Sequence, residues 1–337
     1  MIVVFDTNVW LSQLGLRSPA AAGVRFFLKQ NKHRVGLPQV IRMEVEINLK
    51  RDLINSINEL KQSHEKLVTL FRKLPEVILP TEQQVIALIP DLFTSVGVEL
   101  IEVPFSMQSA TNSFLKTIHK EPPSNNQQQF KDGVIWADCL GLLEQDDVTL
   151  VTKDAAFYAG GNYKNGLPAN LRLEAKSRPH LINIVSDLSE LLDKLDKKIR
   201  FDEVKLYKRL LLSGQSAIDG LYAQGFILGE NPRVTTKLFA TEDTDQLFFD
   251  CSIELLCPDV SGAERNEAVL VIKANGLYSC VNTSFDEISL ETSGYNFIDE
   301  RGEEVKRRDV WIRATGVAIG HREATIVTRH ELNYPIE

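Results

Sequence analysis

The sequence predicts two domains of different class. Residues 1–197 are expected to form a three-layer α/β domain with a mainly parallel sheet, and residues 226–337 a β-rich domain. The chain has 337 residues, more than one average domain. Short apolar runs alternate with helical patterns in the first part, whereas strand-like runs dominate the last part. Residues 198–225 are expected to connect the two.

The first part repeats a strand-then-helix order. Strands are predicted at "MIVVF", "HRVGLP", "GVELIEVP" and "VTLVT", and "LINIVSDLSELLDKL" reads as a strand followed by a helix. Helices are predicted at "SPAAAGVRFFLKQ", "QVIRMEVEINLKR" and "KDGVIWADCLGLLEQ"; the first has a Ser-Pro pair suited to a helix start. Residues 52–74 carry apolar side chains at helical spacing and predict a long amphipathic helix.

The last part begins with "FDEVKLYKRLLLS", which predicts the connecting helix. Strands are then predicted within "QLFFDCSIELL", "EAVLVIKANGLYSCV", "RDVWIRATGVAIG" and "EATIVTRHEL". The stretch "AIGHREAT" predicts a hairpin loop between the last two.

Charge is distributed unevenly along the chain. The formal net charge is −8, which argues mildly against a non-specific nucleic-acid binder. Residues 1–197 hold 22 Lys and Arg against 23 Asp and Glu, whereas residues 201–337 hold 14 against 23. The acidic last part is therefore a poor phosphate-binding surface, and we expect it to contact a protein regulator or a second copy of the chain.

Cysteine usage and hydropathy predict a cytoplasmic protein without a membrane partner. Cys139, Cys251, Cys257 and Cys280 form no CxxC pair, and are expected to be reduced thiols. No apolar run reaches the roughly 18 residues that a membrane helix needs, and no secretory signal is visible.

Four acids occupy matching positions in the predicted elements. Asp6 and Asp154 follow strands, Glu44 lies early in the helix after Pro38, and Asp132 lies in the first turn of another helix. Because ligands bind beyond the carboxyl ends of parallel strands, these acids are expected to converge at one edge of the sheet. Each acid taken alone would instead suit a helix cap, a helix-dipole partner or a solvated surface position.

Convergence of these acids predicts a metal site. Two carboxylates about 5 Å apart repel by roughly 3 kcal/mol at an effective dielectric of 20, so four of them need a cation. Hard oxygen ligands suit Mg²⁺ or Mn²⁺, which favours hydrolysis of a phosphodiester. Asp138 lies about 120° around the helix from Asp132 and is an additional candidate ligand. Arg42, Lys131 and Lys153 flank the acids and are candidates for binding phosphates.

The ordered pieces "VVFDTNVW", "LPQVIRMEV", "KDGVIWADCL" and "LVTKDAAFY" resemble the PIN-domain nuclease family over roughly the first 190 residues. The resemblance implies that Asp6, Glu44, Asp132 and Asp154 hold Mg²⁺ or Mn²⁺ ions. It also implies that Thr152 supports the last acid and that Asn8 braces the first. The long helix and the added domain distinguish the chain from the small VapC-type ribonucleases, and it looks more like the larger bacterial PIN proteins.

The resemblance implies a metal-dependent nuclease, with RNA as the first choice of substrate and single-stranded DNA as the second. The alternative is a non-catalytic PIN-like scaffold that binds protein or RNA. Haloacid-dehalogenase-type phosphatases share the opening strand and Asp, but they need a second acid where this chain has Asn8.

Overall fold

The structure, a computed structural model, describes residues 1–72, 74–124, 129–195, 199, 201–261, 267–298, 304–305, 312–313 and 326–333. The chain divides into two compact units, Met1–Asp196 and Lys197–Glu337. Across the described residues, no helix combines the length and the apolar character that crossing a membrane requires.

The first unit is built on a five-stranded sheet in which every strand is parallel to its neighbours. Its strands are β1 (Ile2–Phe5), β2 (Arg34–Pro38), β3 (Leu100–Val103), β4 (Val148–Val151) and β5 (Ile182–Val185). The flanking helices are α1 (Thr7–Ser12), α2 (Pro19–Gln30), α3 (Gln39–Phe71), α4 (Glu82–Thr94), α5 (Met107–His119), α6 (Phe130–Leu142), α7 (Ala169–Lys176) and α8 (Leu188–Lys194). The predicted α/β class with a parallel sheet is confirmed.

The strand order β3-β2-β1-β4-β5 places a change of direction at the centre of the sheet. From β1 the chain builds outward through β2 and β3, and then returns to the other side of β1 for β4 and β5. The loops that follow β1 and β4 therefore leave the sheet in different directions, which opens a crevice at the carboxyl ends of these two strands. Such a crevice is where open α/β sheets bind ligands.

The long helix α3 is continuous, although the sequence predicted its two parts separately. It runs for 33 residues, which corresponds to about 50 Å. It contains neither proline nor glycine, and it ends where Arg72 adopts a left-handed backbone with φ 60°. Its first turns pack beside β2, and they carry the acid predicted for the site.

Four helices of the first unit, α1, α4, α5 and α7, were not predicted. The clearest local signal was at α4, where Thr81 and Gln84 form a reciprocal capping box. A second signal was Ser106, a residue type that favours helix starts. In the structure it caps α5, and its side chain accepts a hydrogen bond from the Ser109 N–H at 3.0 Å.

The second unit is dominated by an antiparallel sheet, which confirms the β-rich prediction. Its strands are β6 (Arg233–Ala240), β7 (Gln246–Cys257), β8 (Ala268–Ser279), β9 (Ser284–Ile298), β10 (Glu304–Val305), β11 (Ile312–Arg313) and β12 (Ile326–Asn333). The order is β10-β9-β8-β7-β6-β12, with β11 also paired to β9. Alternate residues of β7 are buried, as expected for a sheet with one covered face. The hairpin predicted at "AIGHREAT" lies outside the described residues.

Two helices of the second unit, α9 (Glu203–Ser213) and α10 (Gln215–Ala223), lie in the segment that the sequence predicted as a connection. Both pack on the sheet: Gly214 between them leaves no room for a Cβ beside Ile272 on β8, and Gly220 lies against Tyr295 on β9. The four cysteines are free, in line with reduced thiols.

A partly buried polar junction ties three helices of the first unit together. Glu174 on α7 accepts hydrogen bonds from the ammonium of Lys116 on α5 and, at 2.8 Å, from the indole N–H of Trp136 on α6. Both donors lie on largely buried side chains. Losing the carboxylate would leave an ammonium and an indole N–H without their acceptor.

We expect Glu174→Ala to lower the free energy of unfolding by about 2–3 kcal/mol, because both donors would lose their acceptor. The matched control is Glu144→Ala, which breaks an exposed ion pair with Arg178 and should cost less than about 1 kcal/mol. Urea unfolding of the full chain followed by tryptophan fluorescence measures both. Equal losses in the two variants would contradict the structural role of Glu174.

Candidate functional site

The site begins where the two central strands end side by side. β1 and β4 pair in register, with Phe5 opposite Val151, so that the next residues along each strand are Asp6 and Thr152. The Asp6 N–H donates to the Val151 carbonyl at 2.9 Å and extends the pairing by one step. The position of Asp6 is therefore set by the sheet rather than by a loop.

Asp6 is buried, with 5% of its surface exposed, and both of its carboxylate oxygens accept hydrogen bonds. Oδ1 accepts from the Thr7 N–H and Oδ2 from the Thr152 hydroxyl, each at 2.7 Å. Burial raises the pKa of Asp6, the two hydrogen bonds oppose the rise, and repulsion from Asp154 and Glu44 adds to it.

Thr152 connects the first acid to the last. Its hydroxyl donates to Asp6 and accepts from the Asp154 N–H at 2.9 Å. Asp154 in turn caps the short helical turn after it, because its Oδ1 accepts from the Ala156 N–H at 2.8 Å. Thr152 itself is fully buried, and its carbonyl accepts from the Tyr158 hydroxyl at 2.9 Å. This packing holds the turn after β4 in one arrangement.

Glu44 reaches the same place from the second turn of α3. Its Oε2 accepts a hydrogen bond from the Thr7 hydroxyl at 2.9 Å, and its Oε1 accepts from the ammonium of Lys131. Thr7 thus bridges two acids, since its N–H holds Asp6 and its hydroxyl holds Glu44. Thr7 was not singled out from the sequence, although a hydroxyl beside the first acid was visible there.

Asp132 lies in the first turn of α6 and completes the set of four. Burial raises its pKa to about 7; repulsion from Asp154, Asp6 and Glu44 contributes, and the Lys131 ammonium opposes it. The predicted acids therefore lie within electrostatic reach of one another at the carboxyl edge of the sheet.

The set is chemically suited to a hard cation but is not arranged as a finished cage. Carboxylate oxygens are the ligands that Mg²⁺ and Mn²⁺ prefer. Within the part of the chain that the structure describes, no three His, Cys, Asp or Glu side chains form a group that could hold a metal ion. Asp6, Glu44 and Asp154 instead accept protein hydrogen bonds, and the ammonium of Lys131 supplies a positive charge at Glu44. For Asp6, Glu44, Asp132 and Asp154 to hold a metal, their side chains would have to rotate.

Asp138, the additional candidate, is held by a residue outside the four-acid set. It is buried between α5 and α6, where its Oδ1 accepts from the Ser109 hydroxyl at 2.7 Å. Its Oδ2 has no hydrogen-bond partner among the described residues. Burial raises the pKa of Asp138 to about 6, and the hydrogen bond from Ser109 opposes the rise. The structure thus places Asp138 with Ser109, whose role the sequence did not reveal.

The other candidate residues have different surroundings. The side chain of Asn8 is exposed, and the hydrogen bonds that hold Asp6 come from Thr7 and Thr152 instead. Arg42 is engaged by the carboxylates of Glu46 and Glu102, so it would have to leave both to meet a phosphate. Lys153 is exposed beside Asp154.

Comparison with known proteins identifies the first unit. The family model described as PIN domain matches residues 3–157, a range that contains all four acids. No curated protein matches the chain, and no solved structure does.

We expect Thr152→Val to lower the free energy of unfolding by about 1–2 kcal/mol, because the buried Asp6 Oδ2 and the Asp154 N–H both lose their partner. Thr152→Ser keeps the hydroxyl and should retain most of the stability. Urea unfolding of the two variants and wild type makes the comparison. If Val and Ser behaved alike, the hydroxyl would not be the stabilising group.

The raised pKa of Asp138 predicts a pH dependence of stability. The folded state holds this proton up to about pH 6, whereas an unfolded Asp releases it near pH 4. Stability should therefore fall as pH rises from about 4 to 6, by up to roughly 3 kcal/mol.

Asp138→Asn should flatten that part of the stability curve, and urea unfolding at a series of pH values would show it. Asp91→Asn on the exposed surface of α4 serves as the control and should leave the slope unchanged. An unchanged slope in Asp138→Asn would contradict the raised pKa.

Proposed function

We propose, from the PIN domain that residues 3–157 form, that this protein is a metal-dependent nuclease that hydrolyses phosphodiester bonds, with RNA preferred over single-stranded DNA. The observation that carries the proposal is the gathering of four carboxylates at the direction change of the sheet. Their mutual repulsion and burial work against folding, so a binding role accounts for their gathering better than a structural one does.

Each residue of the cluster has a separate part in the proposal. A bound Mg²⁺ or Mn²⁺ would lower the pKa of a water molecule and stabilise charge on the phosphate. Asp6 and Asp154 would hold the ion from fixed backbone positions, because the Asp6 N–H bonds the Val151 carbonyl and the Asp154 N–H bonds the Thr152 hydroxyl. Asp132, whose pKa is raised to about 7 by burial and by its acidic neighbours, would give up its proton when the cation binds, since a carboxylate ligand must be ionised.

Lys131 would exchange partners when substrate binds. Its ammonium contacts Glu44, and 56% of its side chain is exposed, so it can turn toward a phosphate without crossing the core. Releasing Glu44 would make that carboxylate available to the cation. Lys153, exposed next to Asp154, is a second phosphate contact in the proposal.

A non-catalytic scaffold is the second candidate function. It is favoured by the hydrogen bonds that already occupy Asp6, Glu44 and Asp154, and by the ion pair to Lys131. A scaffold would bind RNA or protein without cleavage and would gain little stability from divalent ions.

We assign protein contacts, either to a regulator or to a second copy, to the acidic second unit, because phosphates would be repelled there. Ultraviolet crosslinking of RNA to the full chain checks this assignment. Crosslinks should map to residues 1–196, and crosslinks concentrated beyond that range would overturn it.

We expect purified wild-type protein to cleave RNA from a mixed RNA and DNA panel when Mn²⁺ or Mg²⁺ is present, and to be inactive in EDTA. Asp6→Asn should abolish cleavage, because the residue most firmly fixed in the site loses its charge. A contaminating nuclease would survive that substitution. Wild-type binding of RNA with no cleavage in either metal would favour the scaffold.

Thermal melts test the metal directly. Mn²⁺ at a hundredfold excess over its Kd should stabilise wild type by about 2.7 kcal/mol. Asp132→Asn should be neutral or stabilising in EDTA, because repulsion falls, and should lose most of the gain in Mn²⁺.

Asp138→Asn is the matched control, since the Asp138 carboxylate is held by the Ser109 hydroxyl rather than by a residue of the cluster. It should keep the full response to Mn²⁺. If Mn²⁺ shifted wild type and Asp132→Asn equally, Asp132 would not be a ligand. If Asp138→Asn lost the response, Asp138 would belong to the metal site after all.

A further inference from the structure

A pocket of about 520 Å³ opens directly beside the acids. Glu44 and Lys131 line it, so it is continuous with the candidate active site. The rest of its lining is mainly apolar and consists of Val40, Met43, Ile47, Asn48 and Phe105. Its volume falls in the range of sites that take a small organic group.

Helix α3 presents two apolar faces, and only one of them serves the core. Ile41, Val45 and Leu49, spaced four apart, are buried against the rest of the unit. The face that carries Val40, Met43, Glu44, Ile47 and Asn48 follows the same helical spacing and lines the pocket. Met43 is 53% exposed and Ile47 64% exposed, so this second face remains open to solvent. An apolar concavity with a few polar groups at its edge is the kind of surface on which small organic groups bind.

Phe105 forms an aromatic wall of the pocket, and its backbone is held in place. It lies between β3 and α5, and its N–H donates to the Gln39 Oε1 at the start of α3, at 2.8 Å. The next residue, Ser106, caps α5. With 48% of its surface exposed, the ring contributes less to the core than a buried phenylalanine would.

We propose that this pocket binds one unpaired nucleobase of the strand being cleaved, with the base stacked on Phe105 and lying against Met43 and Ile47. The inference rests on the proposed nuclease function. Glu44 and Lys131 belong to both sites, so a nucleotide whose phosphate lies at the acids can place its base here. The amide of Asn48 offers a donor and an acceptor to a base edge.

The pocket chemistry selects single strands. A base inside a duplex is stacked and paired, so its faces are not available to Phe105. An unpaired base can turn out and stack on an aromatic side chain, which is how many proteins bind single-stranded nucleic acid. The pocket therefore selects a single-stranded or looped nucleic acid, with affinity that depends on the presence of a base at one position.

The test combines a change in the protein with a change in the ligand. Binding of a short single-stranded RNA is measured in EDTA, and its KM for cleavage in Mn²⁺, for wild type, Phe105→Ala and Phe105→Trp. Loss of one stacked base should weaken binding or raise KM about 5- to 150-fold in Phe105→Ala. Phe105→Trp should restore the affinity, and kcat should change little in either variant.

A series of RNAs with a single abasic position gives the sharper readout. Wild type should lose affinity at one position of the series, and Phe105→Ala should be insensitive there, because the pocket no longer contacts that base. The matched control is Phe71→Ala, which removes an exposed ring at the far end of α3 and should behave as wild type. Thermal melts confirm that the variants fold.

The outcomes separate this inference from the proposed function. Wild-type cleavage that is lost in Asp6→Asn but unaffected by Phe105→Ala would overturn the base pocket and leave the nuclease standing. An equal loss for intact and abasic RNA would also overturn it, since the ring would then not contact a base. Equal affinity for duplex RNA and single-stranded RNA would also overturn the base pocket. Absence of both RNA binding and cleavage in wild type would sink the proposed function and this inference together.

Discussion

The register between β1 and β4 is the constraint on which the site depends. Because Phe5 lies opposite Val151, the first residues beyond the two strands are neighbours, and the Thr152 hydroxyl can reach the Asp6 carboxylate. A slip of one residue would turn the side chains of β4 to the opposite face of the sheet and remove that contact. Strand pairing therefore places Thr152 beside the first acid, and the Thr152 hydroxyl in turn accepts the N–H of the last acid.

Charge is the second constraint, and the fold manages it in two ways. Hydrogen bonds from Thr7 and Thr152 stabilise the buried charge of Asp6, while the ammonium of Lys131 offsets repulsion at Glu44. At Asp132 no such hydrogen bond contributes and the Lys131 ammonium compensates only in part, so the pKa of this carboxyl rises to about 7. Asp132 is thus the acid whose charge is least compensated. It lies in the first turn of α6, beside the other acids. A cation and a protonated carboxyl are two alternative ways to remove the same excess of negative charge.

The sequence predicted most of this frame because the frame follows from short-range patterns. Apolar runs ending in Asp identified β1 and the end of β4, and Pro38 identified the start of α3. The hydrogen bonds that hold the acids in place join residues far apart in the sequence, and composition does not reveal them. Nothing local indicates that the Thr7 hydroxyl would meet Glu44, 37 residues away, or that Lys131 would cross 87 residues to the same carboxylate. Asp138 shows the same limit. Helical spacing allowed it a place in the site, but its hydrogen bond from Ser109, 29 residues away, could not be predicted from the local sequence.

Helix α3 carries both a buried core face and the face that lines the proposed base pocket. Its core face fixes the rotation of the helix, because Ile41, Val45 and Leu49 must be buried together. Once that rotation is fixed, Glu44 is directed to the acids, and Met43 and Ile47 are left on the adjoining surface. Changing the core residues would therefore disturb the acid and the apolar surface together. Changing Met43 or Ile47 would alter the surface alone. The helix separates the core from the proposed base pocket by face, so that base preference in that pocket could change without loss of the fold.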